Sequence, residues 1–197
     1  MTNISNREIS RKFLHIITSI VPLSYLWIIK DQQIMVVVCL ILTVIAVVVE
    51  FTRNRVLKFR EIFNHHFGFM LREKESEGWV TGATWMVAGW TTTTILFPMN
   101  IAVPALLFLS VGDSFAALVG QMYPIVKIHN KSLSGTLAGI ITSIIAGILI
   151  NQSLHPFIIV VGAISAMIIE LVPLPLNDNI IIPNFSAFMM LVFLGVL

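Results

Sequence analysis

Asp113 lies inside an apolar run, VGDSFAALVG, and the polar turn after it carries Lys127, Lys131, Ser132 and Gly135 before the chain becomes apolar again. An ionised carboxylate at the centre of a membrane helix costs about 2.5–3.5 kcal/mol, so an acid at that depth needs compensation and is a functional-site candidate by default. An acid that holds a divalent cation beside a lysine-bearing, glycine-containing turn is what a nucleoside triphosphate requires. The metal and the lysines neutralise phosphate charge, and backbone N–H groups at a helix start contact the oxygens. Ser132, Ser134 and Gly135 open the following apolar run, whose first turn can supply that anion site. On spacing alone the alternative stays open: a structural buried acid, with Lys127 and Lys131 as ordinary interfacial cations.

Further polar residues punctuate the apolar runs. Glu50 and Arg53 have the i, i+3 spacing of a helical ion pair, worth a few tenths of a kcal/mol at an interface, or of a pair that orients a nucleotide or metal. Glu170 and the Asp178–Asn179 pair are separated by PLPL, whose prolines prevent a continuous helix and can turn the acids back toward a polar cleft. His15, near Arg11 and Lys12, reads as a general base or phosphate contact, or simply as a buried hydrogen-bonding group. His65 and His66 point apart on a helix and suit an interface better than a metal.

The elements that position these residues follow from composition. With 57% hydrophobic and 11% charged residues over 197 positions, and a mean hydropathy of +0.93, the chain is an integral membrane protein. A bilayer core about 30 Å thick takes roughly 20 apolar residues per helix, so chemistry is left to helix ends and short loops. A single cysteine, Cys39, excludes an internal disulfide framework and a cysteine metal cluster. The first apolar run lacks a small-residue cleavage pattern and reads as a retained span.

Seven apolar segments are expected, at about 13–29, 33–50, 80–98, 101–123, 136–150, 156–172 and 180–197. Lys and Arg concentrate before the first, between the second and third, and after the fourth, whereas the alternate connections carry only Lys30. The positive-inside rule then puts the N-terminus in the cytoplasm. The expected fold is an all-α transmembrane bundle forming one domain over 1–197. Arg11, Lys12, His15, Glu50, Lys131, Glu170 and Asp178 then share the cytoplasmic side. Asp113 lies about 15 Å below it, reached through a wet cleft.

Helical spacing supports such a cleft. Asp113, Ala116, Ala117 and Gly120 share a face, as do Gly135, Gly139, Ser143 and Gly147, and Gly162, Ala166 and Glu170; small residues at these intervals let helices approach closely. Arg11, His15 and Ser19 form a comparable stripe on the first segment. Residues 53–77 alternate basic and apolar groups at helical spacing, as expected for an amphipathic helix in the headgroup region.

The series RKFLHI, EFTRNR, TGAT, VGDSFAALVG, KSLSGTLAG and IIELVPLPLNDNIIIP, from Arg11 to Pro183, resembles the CTP-dependent lipid kinases that include dolichol kinase, phytol kinase and the yeast-type diacylglycerol kinase. The resemblance implies transfer of the γ-phosphate of CTP to the hydroxyl of a membrane lipid alcohol, assisted by Mg²⁺. It implies Asp113, Asp178 and Glu170, with Asn179, at the metal. Lys127, Lys131 and the start of the fifth segment from Ser132 to Thr136 would take phosphates, and Arg11, Lys12, His15 and Arg53 would complete the nucleotide site. Asp113, Lys131 and Glu50 are the expected catalytic residues, Asp113 either as metal ligand or as acceptor of the hydroxyl proton. The sequence is also similar to phosphatidate cytidylyltransferases, but the loop is reduced to NKSLSG and their C-terminal signature is absent, which favours the kinase. A small transporter is the alternative from another class, against which stands the scarcity of acids toward the external half. The expected partners are CTP, the lipid and the bilayer of a plasma, inner or ER-type membrane. No nucleic acid is expected, and a homo-oligomer is compatible with the sequence.

Overall fold

The structure, a computed structural model, describes residues 4–151 and 153–196. It is built almost wholly of helices. Helix α1 (Asn6–Ile17) continues through α2 (Ile20–Ser24) and a π-helical turn (Tyr25–Ile29), and is followed by α3 (Gln32–Arg55), α4 (Leu57–Phe67), α5 (Glu73–Ser76) and α6 (Gly82–Leu96). Helix α7 (Met99–Leu107) passes through a second π-helical turn (Phe108–Gly112) into α8 (Asp113–Met122). A two-residue hairpin, β1 (Lys127–Ile128) and β2 (Lys131–Ser132), leads to α9 (Leu133–Ile150), α10 (Pro156–Leu171) and α11 (Asp178–Leu194).

Among the described residues, four helical stretches are long and apolar enough to cross a bilayer: Asn6–Ile29, Gln32–Arg55, Met99–Met122 and Leu133–Ile150. Helices α6, α10 and α11 occupy the expected third, sixth and seventh segments but have 15, 16 and 17 residues. At 1.5 Å per residue they reach about 22–26 Å, short of a 30 Å core. Prolines set these limits. Pro98 follows an extended Phe97 at the end of α6, and Pro173 and Pro175 prevent continuation of α10. Leu197, at the end of the expected seventh segment, lies outside the described residues.

Met99–Met122 is the central helix. Ile101 to Leu109 are almost fully buried, whereas α3 exposes a continuous apolar face including Val37, Ile41, Val44 and Val48, as suits a lipid-facing helix. The small-residue stripes pack against this centre. A side chain at Gly139 would strike Met167 and the Ala116 Cβ, and one at Gly112 would strike Ser143. On α1 the inward face is Lys12 with His15 rather than Arg11 with His15 and Ser19, because the helix docks on α8 through Lys12.

The segment expected as one amphipathic helix over 53–77 is the last turn of α3 plus two separate helices. Val56 is extended and ends α3, and Gly68 caps α4. Phe59, Phe63 and Phe67 stack along one face of α4. Arg53, expected on that interfacial helix, belongs to α3 and is fully buried.

Candidate active site

Asp113 is the first residue after the π-helical turn, where its backbone N–H reaches back to the Phe108 carbonyl. The wider turn resets the helical phase between the buried apolar faces of α7 and the polar face of α8, and such turns recur at functional sites. Lys12 Nζ lies 2.5 Å from Asp113 Oδ2, and His15 Nδ1 is 3.2 Å from the same oxygen. Ser114 Oγ donates to the Lys12 carbonyl at 3.4 Å and locks the same helix pair. All three side chains are at least nine-tenths buried. The Lys12 ammonium supplies the compensation that an acid at this depth requires.

A second cluster forms where the hairpin meets the ends of α10 and α11. Lys131 Nζ bridges Glu170 Oε1 at 3.0 Å and Asp178 Oδ2 at 2.9 Å. Burial pulls the Lys131 ammonium down, but the Glu170 and Asp178 carboxylates outweigh it and hold the group above its ordinary 10.5. Ser132 caps α9, accepting from Gly135 N at 3.2 Å, and its Oγ also donates to the Gly120 carbonyl at 3.3 Å. Gly120 and Gly135 permit this contact: a Cβ on Gly120 would lie 2.8 Å from Ser132 Oγ.

The two clusters line one cavity of about 530 Å³ at one end of the bundle. Its wall includes Arg11, Lys12, Asp113, Lys127, Lys131, Ser132, Thr136, Glu170 and Asp178, which the sequence had singled out. His15 stands behind Asp113, and Gly135 lies buried under the Ser132 cap. Glu8, Arg72, Gln121, His129 and Asn130 also line it and were not foreseen. The i, i+3 spacing of Glu8 and Arg11, which pair at 2.7 Å, was an available signal. Nothing local marks Arg72.

Three expected site residues lie elsewhere. Arg53 donates to the carbonyls of Glu75 at 2.5 Å and Trp79 at 2.7 Å, and pairs with Glu50 Oε1. Glu50 Oε2 accepts from Thr81 N and Oγ1, both at 3.1 Å, and from Thr84 Oγ1 at 3.2 Å. Spent on one another and on the start of α6, Glu50 and Arg53 do not face the cavity. Asn179 Nδ2 donates to the Gly82 carbonyl at 2.8 Å, so its amide ties α11 to α6, beside the cavity rather than in it.

Among the described residues no three His, Cys, Asp or Glu side chains converge as an all-protein metal cage. Mg²⁺ at a nucleotide needs less: one or two carboxylates plus phosphate oxygens and water. The ion pairs engage one oxygen each of Asp113, Glu170 and Asp178, leaving the second oxygen of each carboxylate to a cation. The residues present fit that mode.

Apolar helices long enough to span a bilayer, enclosing a charged cavity at one end, define an all-α integral membrane protein with a polar cleft. Over 184 residues the chain is 30% identical to an uncharacterized protein of Rickettsia prowazekii, covering 89% of each. Over 147 residues it is 30% identical to CTP-dependent diacylglycerol kinase 1 of Schizosaccharomyces pombe, covering 66% of this chain and 67% of that protein. The chain belongs to the family of that diacylglycerol kinase. No family model matches it. No solved structure matches it either.

Proposed function

We propose that the chain is a CTP-dependent kinase that phosphorylates the hydroxyl of a membrane lipid alcohol in this cleft. The observation that carries the reading is the convergence of Lys12–Asp113 and Glu170–Lys131–Asp178 on one cavity, in a relative of a CTP-dependent lipid kinase. Phosphoryl transfer asks the protein mainly for positioning and charge neutralisation. The lipid oxygen forms a bond to the γ-phosphorus, the bond to the β–γ bridging oxygen breaks, and CDP leaves.

In this reading Lys127, Lys131, Arg11 and the capped first turn of α9 hold the triphosphate, whose charge they offset. Glu170 and Asp178, each paired with Lys131 through one oxygen, would hold Mg²⁺ through the other. When bound, Mg²⁺ neutralises the γ- and β-phosphate oxygens. Asp113, fixed by Lys12 and His15, sits in the cavity wall, where a hydroxyl borne on an apolar body arrives from the bilayer. It positions that hydroxyl and takes its proton, or takes a share of the metal. The lipid enters sideways between helices, and the cleft faces the cytoplasm.

The test is incubation of the purified protein with γ-labelled or α-labelled CTP and a panel of polyprenol, phytol-like isoprenol, diacylglycerol and phosphatidate. Label transferred from the γ position supports the kinase. Label entering lipid from the α position identifies a cytidylyltransferase and removes it.

A further inference from the structure

Arg72 is the one cation on the cavity wall contributed by the connection between α3 and α6; the others come from α1 and the hairpin. Its side chain is exposed and takes part in no ion pair among the described residues. The backbone that carries it is held tightly. Leu71 is buried, and the buried carboxylate of Glu75 accepts from Arg72 N at 2.8 Å through one oxygen and from Gly82 N at 2.9 Å through the other. The Glu75 carbonyl in turn takes the Arg53 guanidinium at 2.5 Å, and Arg53 is anchored to Glu50.

A buried knot of Glu50, Arg53 and Glu75 therefore carries, on the wall of the cleft, the Arg72 guanidinium, which no carboxylate among the described residues pairs with. Holding a charged loop by buried acids costs desolvation and is strong only when every partner is in place. Glu75 and Glu50 meet that condition, each spending both oxygens on donors. A planar guanidinium on a cavity wall shared with Arg11, Lys127 and Lys131 suits an anion with several oxygens, which it engages through two parallel hydrogen bonds.

We propose that Arg72 is a phosphate-contacting residue of the cleft and that Glu75 is the positioning residue that holds it there. The proposal rests on the nucleotide reading above and extends it. Arg72 contacts the triphosphate from an element other than the hairpin, so the nucleotide is held by two independently anchored cations, Arg72 and Lys131.

The experiment measures binding of CTP and of cytidine with Mg²⁺ to the purified full-length protein by calorimetry, together with kcat and KM. Arg72→Ala is expected to weaken CTP binding tenfold or more and to raise KM, while cytidine binding stays unchanged; Arg72→Lys restores part of the loss. Glu75→Gln is expected to weaken CTP binding in the wild-type background and to add nothing in the Arg72→Ala background, the signature of residues acting as one unit. Because Arg72 is exposed, its variants are expected to fold whether or not Glu75→Gln does. Wild-type binding of CTP with unchanged binding by Arg72→Ala overturns the proposal, as does an equal loss for CTP and cytidine. A wild-type protein that binds no CTP overturns instead the nucleotide reading, and the proposal with it.

Discussion

Lys12 and Asp113, 101 residues apart in the chain, form a 2.5 Å ion pair in the cavity wall. Removing one partner of a buried pair leaves an uncompensated charge and costs about 3–5 kcal/mol. Lys12→Met is therefore expected to lower the thermal unfolding temperature in detergent and to abolish lipid phosphorylation. Asp113→Asn, which keeps shape but leaves the Lys12 ammonium unpaired, is expected to abolish transfer while the protein still inserts, with a lowered unfolding temperature. The double variant Lys12→Met/Asp113→Asn should recover stability over Lys12→Met alone without recovering turnover. If Asp113→Asn turns over normally, Asp113 is out of the mechanism.

Lys131 supports a prediction in pH. Its folded value lies above the ordinary 10.5, so its ion pairs contribute stability fully below about 10.4 and lose it as pH rises through the folded value. Wild type and Lys131→Met are expected to differ in unfolding temperature by a constant amount from about pH 8 to pH 9.5, and the gap is expected to shrink above 10.5. The same variant should raise KM for CTP. A gap that closes already between about pH 8 and pH 9.5 would assign the stabilisation to another group.

The helical runs, the small-residue stripes and most of the cavity wall were legible because each rests on local spacing: Gly135, Gly139, Ser143 and Gly147 recur every fourth residue and do bury one face of α9. The polar neighbours of Asp113 were legible as types but not as partners. Arg11 and Lys12 differ by one position, and only the docking of α1 on α8 decides that Lys12 turns inward. Glu50 and Arg53 looked like site residues because a buried charge signals function or architecture alike. Their partners, the carbonyls of Glu75 and Trp79 and the hydroxyls of Thr81 and Thr84, are chosen by a fold that brings residues 22 to 34 positions away against them. Arg72 was read as a headgroup contact for the same reason: the fold, and not its surroundings in sequence, brings it to the cavity wall.

The Glu50–Arg53 knot predicts a loss of stability before a loss of chemistry. Arg53 is fully buried, and its guanidinium also lies over the Phe63 ring at 5.4 Å. Glu50→Gln is expected to destabilise the protein by about 3–5 kcal/mol, seen as a lower unfolding temperature and faster proteolysis of the 56–81 connection. Arg53→Lys cannot reach the Glu75 and Trp79 carbonyls and Glu50 together, and should fall in the same range. Unchanged stability in both variants would mean that the knot is not the anchor of this connection.

Gly112 offers a test of whether helix spacing sets the position of Asp113. A Cβ there would overlap Ser143 Oγ and approach Met167 Cε to 3.1 Å, and overpacking of this kind costs about 1–3 kcal/mol. Because Gly112 directly precedes Asp113, relief of the clash must move the first turn of α8 away from α9 and shift the carboxylate relative to Lys12. Gly112→Ala is expected to lower kcat more than it raises KM for CTP, since the α9 start and Lys131 lie about three turns from Ser143. Ser143 Oγ is buried without a hydrogen-bond partner, so its removal leaves no donor or acceptor stranded. Ser143→Gly in the Gly112→Ala background therefore makes room at little polar cost and is expected to restore both stability and kcat. Rescue of stability without rescue of kcat would show that Asp113 is positioned by α1 alone and not by the packing of α8 on α9.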